Sequence, residues 1–173
     1  MANQNWCVAE LGVFRGAFSR LINAHFSDKK FYLLDTFEGF DQNEAMEELS
    51  QGHCDSKFIE YFSQTNEQLV LSMQLHKENC IICKGLFPET ASLLENEQFG
   101  FVSLDVDFKE STLHGLEFFY PRMIDGGYIF IHDYNSVSLK GVSQAVSDFE
   151  NKYNIKLRKL PLCDSNGTLV VIK

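Results

Sequence analysis

The stretch FVSLDVDFKEST, residues 101–112, ends an apolar run on two acids, Asp105 and Asp107. A second apolar run, FIHDYNS at 130–136, ends on His132 and Asp133. Adjacent parallel strands lie about 4.8 Å apart, so side chains at their carboxyl ends can converge. Carboxylates and an imidazole gathered there suit two kinds of chemistry. Asp105, Asp133 and His132 can hold a divalent cation; oxygen ligands favour Mg²⁺, and the imidazole moves the preference towards Mn²⁺ or a softer ion. In the other reading no metal takes part, and His132 or Asp107 is a general base that its neighbours orient. A plainer reading makes these acids caps of the helices that follow.

A second constellation lies near the N-terminus. VAELGVFRG, residues 8–16, reads as a strand, a glycine turn and the start of a helix. Gly12 would let the backbone turn sharply, and Gly16 would let the helix start approach a ligand. A dinucleotide-binding turn reads GxGxxG and sets a pyrophosphate on a helix N-terminus. This chain lacks the close glycine pair and carries Glu10 instead. A carboxylate there would repel pyrophosphate, but it could attract an ammonium group or order water around one. Asp35 ends the next strand, where a carboxylate can accept hydrogen bonds from ribose hydroxyls. Cys80-Ile-Ile-Cys83 has metal-ligand spacing, but on a strand residues three apart face opposite ways, and no second such pair completes a four-ligand site.

These side chains need a scaffold that alternates strands and helices. Strands are expected at Trp6–Leu11, Lys30–Asp35, Asn79–Lys84, Phe99–Asp105 and Tyr128–His132, with continuous apolar runs that suit a sheet covered on both faces. Helical spacing appears in Phe18, Leu21, Ile22 and His25-Phe26, and again from Phe58 to Met73 as one or two helices. Pro88 is expected to open a helix. Leu113, Leu116, Phe119 and Tyr120 stripe another helix, and Val142, Ala145, Val146 and Phe149 the last. Ile155–Leu160 and Thr168–Ile172 flank a Cys-Asp-Ser-Asn-Gly turn and read as an antiparallel hairpin. The expected fold is α/β: a doubly wound, mostly parallel seven-stranded sheet, Rossmann-like, closed by a C-terminal antiparallel hairpin. Glu38–Ser56, polar and acidic, is expected as a mobile loop or short helix above the site.

The totals fit one domain spanning 1–173. The chain is 45% hydrophobic and 23% charged, with a formal net charge of −9. That charge repels polyanions and argues against nucleic acid as a partner. No apolar run approaches the roughly 18 residues of a membrane helix, so no membrane partner is expected. The start MANQNW lacks the basic-then-apolar pattern of a secretory signal, and five cysteines, an odd number, suit reduced thiols. A cytoplasmic location is expected.

The stretches VAELGVFRGAFS, YLLDTFEGF, FSQTNEQLV, CKGLFPET, LDVDFKESTLHGLEFFYPRMIDGGYIFIHDYNS and GVSQAVSDF together resemble the macrocin O-methyltransferase family of sugar O-methyltransferases. The resemblance implies a class I fold, S-adenosylmethionine as methyl donor and, as in relatives, Mg²⁺. It places Glu10, Gly12 and Gly16 on the first cofactor turn. Asp35, with Thr36 beside it, falls on the ribose acid, and Lys84-Gly85 lies near the adenine. Asp105 is the first metal aspartate and also borders the cofactor; Asp107 is a nearby acid that could serve as base. Family members carry two adjacent aspartates after the fifth strand. Here the pair is His132-Asp133, which bears on the identity of the metal. Relatives also have helices before the first strand; here that strand begins almost at Met1, so an N-terminal lid is not expected within 1–173. The implied reaction is O-methylation of a sugar or glycosylated small molecule, with Glu38–Ser56 choosing the acceptor and His53 and Asp55 as candidate contacts. Two rivals are a non-catalytic cofactor-binding module of a glycan or natural-product assembly complex and a nicotinamide oxidoreductase; the turn chemistry disfavours the latter. A homo-oligomer or a partner covering the pocket remains open.

Overall fold

The computed structural model describes residues 5–51, 56–165 and 167–173. In chain order it forms β1 (Cys7–Leu11), α1 (Ala17–His25), β2 (Phe31–Asp35), α2 (Gln42–Ser50), α3 (Ser56–Phe62), α4 (Glu67–Met73), β3 (Cys80–Lys84), β4 (Phe99–Leu104), α5 (Lys109–Phe119), β5 (Met123–Ile131), α6 (Lys140–Tyr153), β6 (Arg158–Pro161) and β7 (Leu169–Ile172). The strands make one sheet in the order β3-β2-β1-β4-β5-β7-β6. All pairings from β3 to β5 are parallel, and β7 runs antiparallel to both β5 and β6. The expected doubly wound sheet with its terminal hairpin is present. Strand order reverses between β1 and β4, and in such sheets that is where a crevice opens beyond the carboxyl ends.

Period-two alternation divides each central strand between two cores. Cys7, Ala9 and Leu11 join Leu34, Leu104, Leu116, Phe119, Val142 and Phe149 on one face. Val8 joins Ile22, Phe31, Leu33 and Val70 on the other. The α6 stripe is buried as expected: Val142, Ala145, Val146 and Phe149 all face inward. Cys80 and Cys83 serve opposite faces of β3, and both are free thiols. Among the described residues no helix is long and apolar enough to cross a membrane.

Three elements depart from the sequence pattern. On α1 the inner face is Ser19, Ile22 and Asn23, while Leu21 is 63% exposed. Polar side chains win that face because buried polar groups await them. Ser19 donates its hydroxyl to Glu10, and the Asn23 side chain accepts from the Leu75 and His76 amides. Pro88 opens no α-helix; Glu89–Leu94 is a 3₁₀ segment. β5 begins at Met123 rather than Tyr128, with its pairing to β4 shifting between Phe99 and Phe101. The stretch 38–56 holds α2, whose Asp41 side chain accepts the amides of Asn43 and Glu44, as a good N-cap does. His53 and Asp55 lie outside the described residues.

Hydrogen bonding continues one residue past each strand and aligns the tips. Gly12 N donates to Leu34 O (2.9 Å), Asp105 N to Leu11 O (2.9 Å), His132 N to Leu104 O (2.9 Å) and Gly85 N to Asp35 O (3.0 Å). This alignment requires glycine at position 12. Its φ is +85°, and a Cβ there would lie 2.0 Å from the Asp105 carbonyl oxygen. Gly12→Ala should therefore cost roughly 2–4 kcal/mol from strain and overpacking. Urea denaturation would show the loss; an unchanged midpoint would contradict the close approach.

Candidate active site

A cavity of about 420 Å³ occupies the crevice at the strand tips. Gly12, Asp35, Thr36 and Gly85 line one part; Asp105, Asp107, His132 and Asp133 line another. Glu10, Gly16 and Lys84, also expected at the cofactor, stand off its wall. Glu10 is 1% exposed, on the same sheet face as Val8, and takes the Ser19 hydroxyl bond beneath α1. Burial pushes its carboxyl well above the usual range, with the Ser19 bond pulling back. Gly16 ends the turn in a left-handed conformation at the head of α1. Lys84 bridges Glu38 (3.0 Å) and Glu67 (3.1 Å).

Asp35 proves to be a structural anchor as well as a wall. Its Oδ2 accepts the amides of Val13 (2.7 Å) and Phe14 (2.9 Å), and its Oδ1 that of Phe37 (2.7 Å). A carboxylate offers about four acceptor positions, so roughly one remains for a ligand hydroxyl rather than the two expected of it. These bonds lock the 12–16 turn to the end of β2. From the far side the Thr65 hydroxyl donates to the Phe14 carbonyl. Phe14 is held at φ +50°, and its ring packs 4.8 Å from that of Phe62. Phe62 meets Phe40 at 5.2 Å, and Phe40 meets Phe108 at 4.4 Å. Phe14, Phe40 and Phe62 give the cavity an apolar aromatic side. Thr36 spends its hydroxyl within its own turn, donating to Gly39 O and accepting from Glu38 N.

The acids of β4 and β5 do converge. His132 Nδ1 lies 3.0 Å from Asp105 Oδ1 and 2.9 Å from Asp133 Oδ2. One ligand atom from each of the three residues falls within 4.8 Å of the others. Neighbouring ligands about 2.1 Å from an octahedral ion stand about 3.0 Å apart, so the spacing and the mixed oxygen–nitrogen donor set suit a divalent cation. Hydrogen bonds to Asp105 and Asp133 raise the His132 pKa to about 10, against the opposing effect of burial. An imidazolium has no lone pair, so His132 can accept a proton or bind a cation only after giving up the proton its two carboxylate neighbours hold there. Asp107 is 7% exposed at φ +63°. Burial first, then the Asp105 and Asp133 charges, push its carboxyl well above the usual range. A carboxylate with a raised pKa is the better base near neutral pH.

Glu44 is the wall residue that the sequence reading missed. Its carboxylate accepts the Ser111 amide (3.0 Å) and the Ser111 hydroxyl. Ser111 stands in the first turn of α5, whose N-cap, Phe108, offers no side-chain cap. Glu44 thus caps a helix other than its own. Burial raises its pKa, with the Ser111 bonds opposing. Asp41-x-x-Glu44 was the available signal: an acid three residues after a capping residue marks a helix start.

The reversed strand order, the terminal antiparallel pair and the tip cavity define a class I methyltransferase fold. A family model described as macrocin-O-methyltransferase (TylF) matches residues 6–169, and the chain belongs to that family. A Streptomyces olivaceus protein, 8-demethyl-8-(2,3-dimethoxy-alpha-L-rhamnosyl)-tetracenomycin-C 4'-O-methyltransferase, is 25% identical over 179 residues. The alignment covers 93% of this chain but 63% of that protein, so the chain spans less than two thirds of this relative. The O-methyltransferase NovP superposes with a TM-score of 0.76 at 22% identity, over 97% of this chain and 72% of its own. The calicheamicin methyltransferase CalS11 superposes at 0.68 and 13%, over 98% and 72%. CalS11 is described as a TDP-rhamnose 3'-O-methyltransferase.

The raised pKa of His132 predicts a pH dependence. A group whose folded pKa exceeds its unfolded value of 6.5 stabilises fully below that value and loses the contribution as pH rises through about 10. In chelator-treated protein the melting-temperature advantage over His132→Gln should shrink between about pH 7 and pH 11. A constant advantage across that range would contradict the pairing.

Proposed function

We propose that this chain transfers a methyl group from S-adenosylmethionine to a hydroxyl of a sugar on a small molecule, with a divalent cation at Asp105, His132 and Asp133. The observation that carries the reading is the convergence of these residues and Asp107 on one cavity, in a chain that belongs to a family of O-methyltransferases. Gly12 and Gly85 keep one wall bare, and Asp35 stands at the tip of β2 with acceptor capacity left for a ribose hydroxyl. S-adenosylmethionine would supply an activated methyl group on a sulfonium.

The chain's own tasks are alignment and proton removal. The acceptor oxygen forms a bond to the methyl carbon as the carbon–sulfur bond breaks, and the hydroxyl proton goes to a base. Holding the partners in line contributes up to roughly 7–11 kcal/mol. Asp107, buried on the cavity wall, would take the proton, and its poorly solvated carboxylate would gain by taking it. Asp105, His132 and Asp133 would hold the cation, which would acidify the hydroxyl. The aromatic side formed by Phe14, Phe40 and Phe62 suits an apolar sugar face or aglycone. Relatives supply two forms of acceptor: a rhamnosyl group already on its aglycone, and a nucleotide-bound rhamnose.

Asp105→Ala should lower methyl transfer by about 10²-fold or more while affinity for S-adenosylhomocysteine changes far less. Calorimetry beside a turnover assay separates the two; loss of both together would make Asp105 structural. Full turnover in excess EDTA would remove the cation from the reading and leave Asp107 as the sole aid to the hydroxyl.

A further inference from the structure

Helix α2 presents acids to the protein and apolar side chains to solvent. Its buried residues are Ala45 and Glu48, while Met46 is 68% exposed and Leu49 37%. A helix seated by the hydrophobic effect turns its apolar stripe to the core. Here Glu44 and Glu48, neighbours one turn apart, point inward instead. The start of this helix, Asp41 and Glu44, belongs to the cavity wall.

Both acids reach the starts of other helices. Phe108 and Leu139, which precede α5 and α6, supply no side-chain cap. The first N–H groups of an α-helix lack partners within it and carry partial positive charge. Glu44 answers this at α5 by taking the amide and the hydroxyl of Ser111. Glu48 stands where the two starts meet. A Cβ added to Gly141, the second residue of α6, would lie 3.3 Å from Glu48 Oε1 and 3.1 Å from Lys109 N. Glycine at 141 thus leaves the seat that the Glu48 carboxylate fills.

We propose that Glu44 and Glu48 are positioning residues: their charges on the amino ends of α5 and α6, rather than apolar packing, set where α2 stands on the cavity wall. α5 follows Asp107 and α6 follows Asp133, so α2 is aligned on the elements that carry on from the site's acids. The consequence for turnover rests on the methyltransferase reading above; the seating itself does not. An acceptor that binds against a seated wall binds more weakly when α2 loosens, while the methyl donor and the chemical step are left alone.

The test is amide hydrogen exchange over residues 42–50 in the ligand-free protein. Glu44→Gln and Glu48→Gln keep side-chain volume and should each speed exchange of α2 about fivefold, with the sheet unchanged. Glu48→Leu separates charge from packing: an apolar seat would be tightened by leucine, and a charged one is loosened. Unchanged or slower exchange of α2 in these variants would overturn the proposal. Should Glu44→Gln loosen the whole fold, Ser111→Ala decides: it should speed α2 exchange alone, and sheet exchange rising with it would overturn the proposal. In turnover of phenyl rhamnoside, Glu48→Gln should raise KM about threefold or more, with kcat and affinity for S-adenosylhomocysteine within about twofold. A fall in kcat at unchanged KM would overturn the positioning role. If the intact chain fails to bind S-adenosylhomocysteine, the methyltransferase reading falls, and exchange still decides how α2 is seated.

Discussion

Parallel pairing of β4 with β5 is the constraint on which the site depends. Leu104 pairs with Ile131, and the bond from His132 N to Leu104 O carries the register one step further. The next side chains, Asp105 on one strand and His132 and Asp133 on the other, then have nowhere to go but together. Two carboxylates at 2.9 and 3.0 Å from one ring nitrogen are costly unless a proton or a cation sits among them. The sheet therefore builds a demand for positive charge at the tips of its two central strands. A divalent cation or an incoming sulfonium would each answer that demand.

The same chemistry shapes the rest of the wall. Turns and helix starts around the crevice expose amides that would otherwise attract anions. Asp35, Asp41 and Glu44 fill them and turn donor-rich corners into capped ones. Asp35 ties β2 to the first turn, and Glu44 ties α2 to the start of α5, just beyond Asp107. The α2 end of the cavity wall is thus anchored to the element that follows Asp107. Electrostatics and scaffold are the same set of bonds, so charge changes on this wall alter shape as well as potential.

Much of this was legible in the sequence because strand ends announce themselves. An apolar run that stops on Asp, as at Asp35 and Asp105, marks the tip of a buried parallel strand. Burial of β1, β2 and β4 on both faces left little room for a different sheet. Helix faces were less legible where polar groups face inward. α1 turns Ser19 and Asn23 to the core because Glu10 and the main chain at 75–76 need partners, and no hydrophobic period reveals that. The role of Glu44 was hidden for the same reason: its partner, Ser111, is 67 residues away. The second function of Asp35 was hidden too, since its type and position signal a ligand acid but not three amides waiting to be held.

The account's central claim is that acids on neighbouring strand tips surround one cation beside the methyl donor and acceptor. Crystals grown with S-adenosylhomocysteine and Mn²⁺ test it most directly, because the ion's anomalous signal locates it without reference to turnover. The prediction is a single peak within bonding distance of Asp105, His132 and Asp133, with the thioether sulfur in the same cavity and Asp107 facing the space between them. A product molecule bound there with no peak, and the three side chains turned apart into solvent, would contradict it.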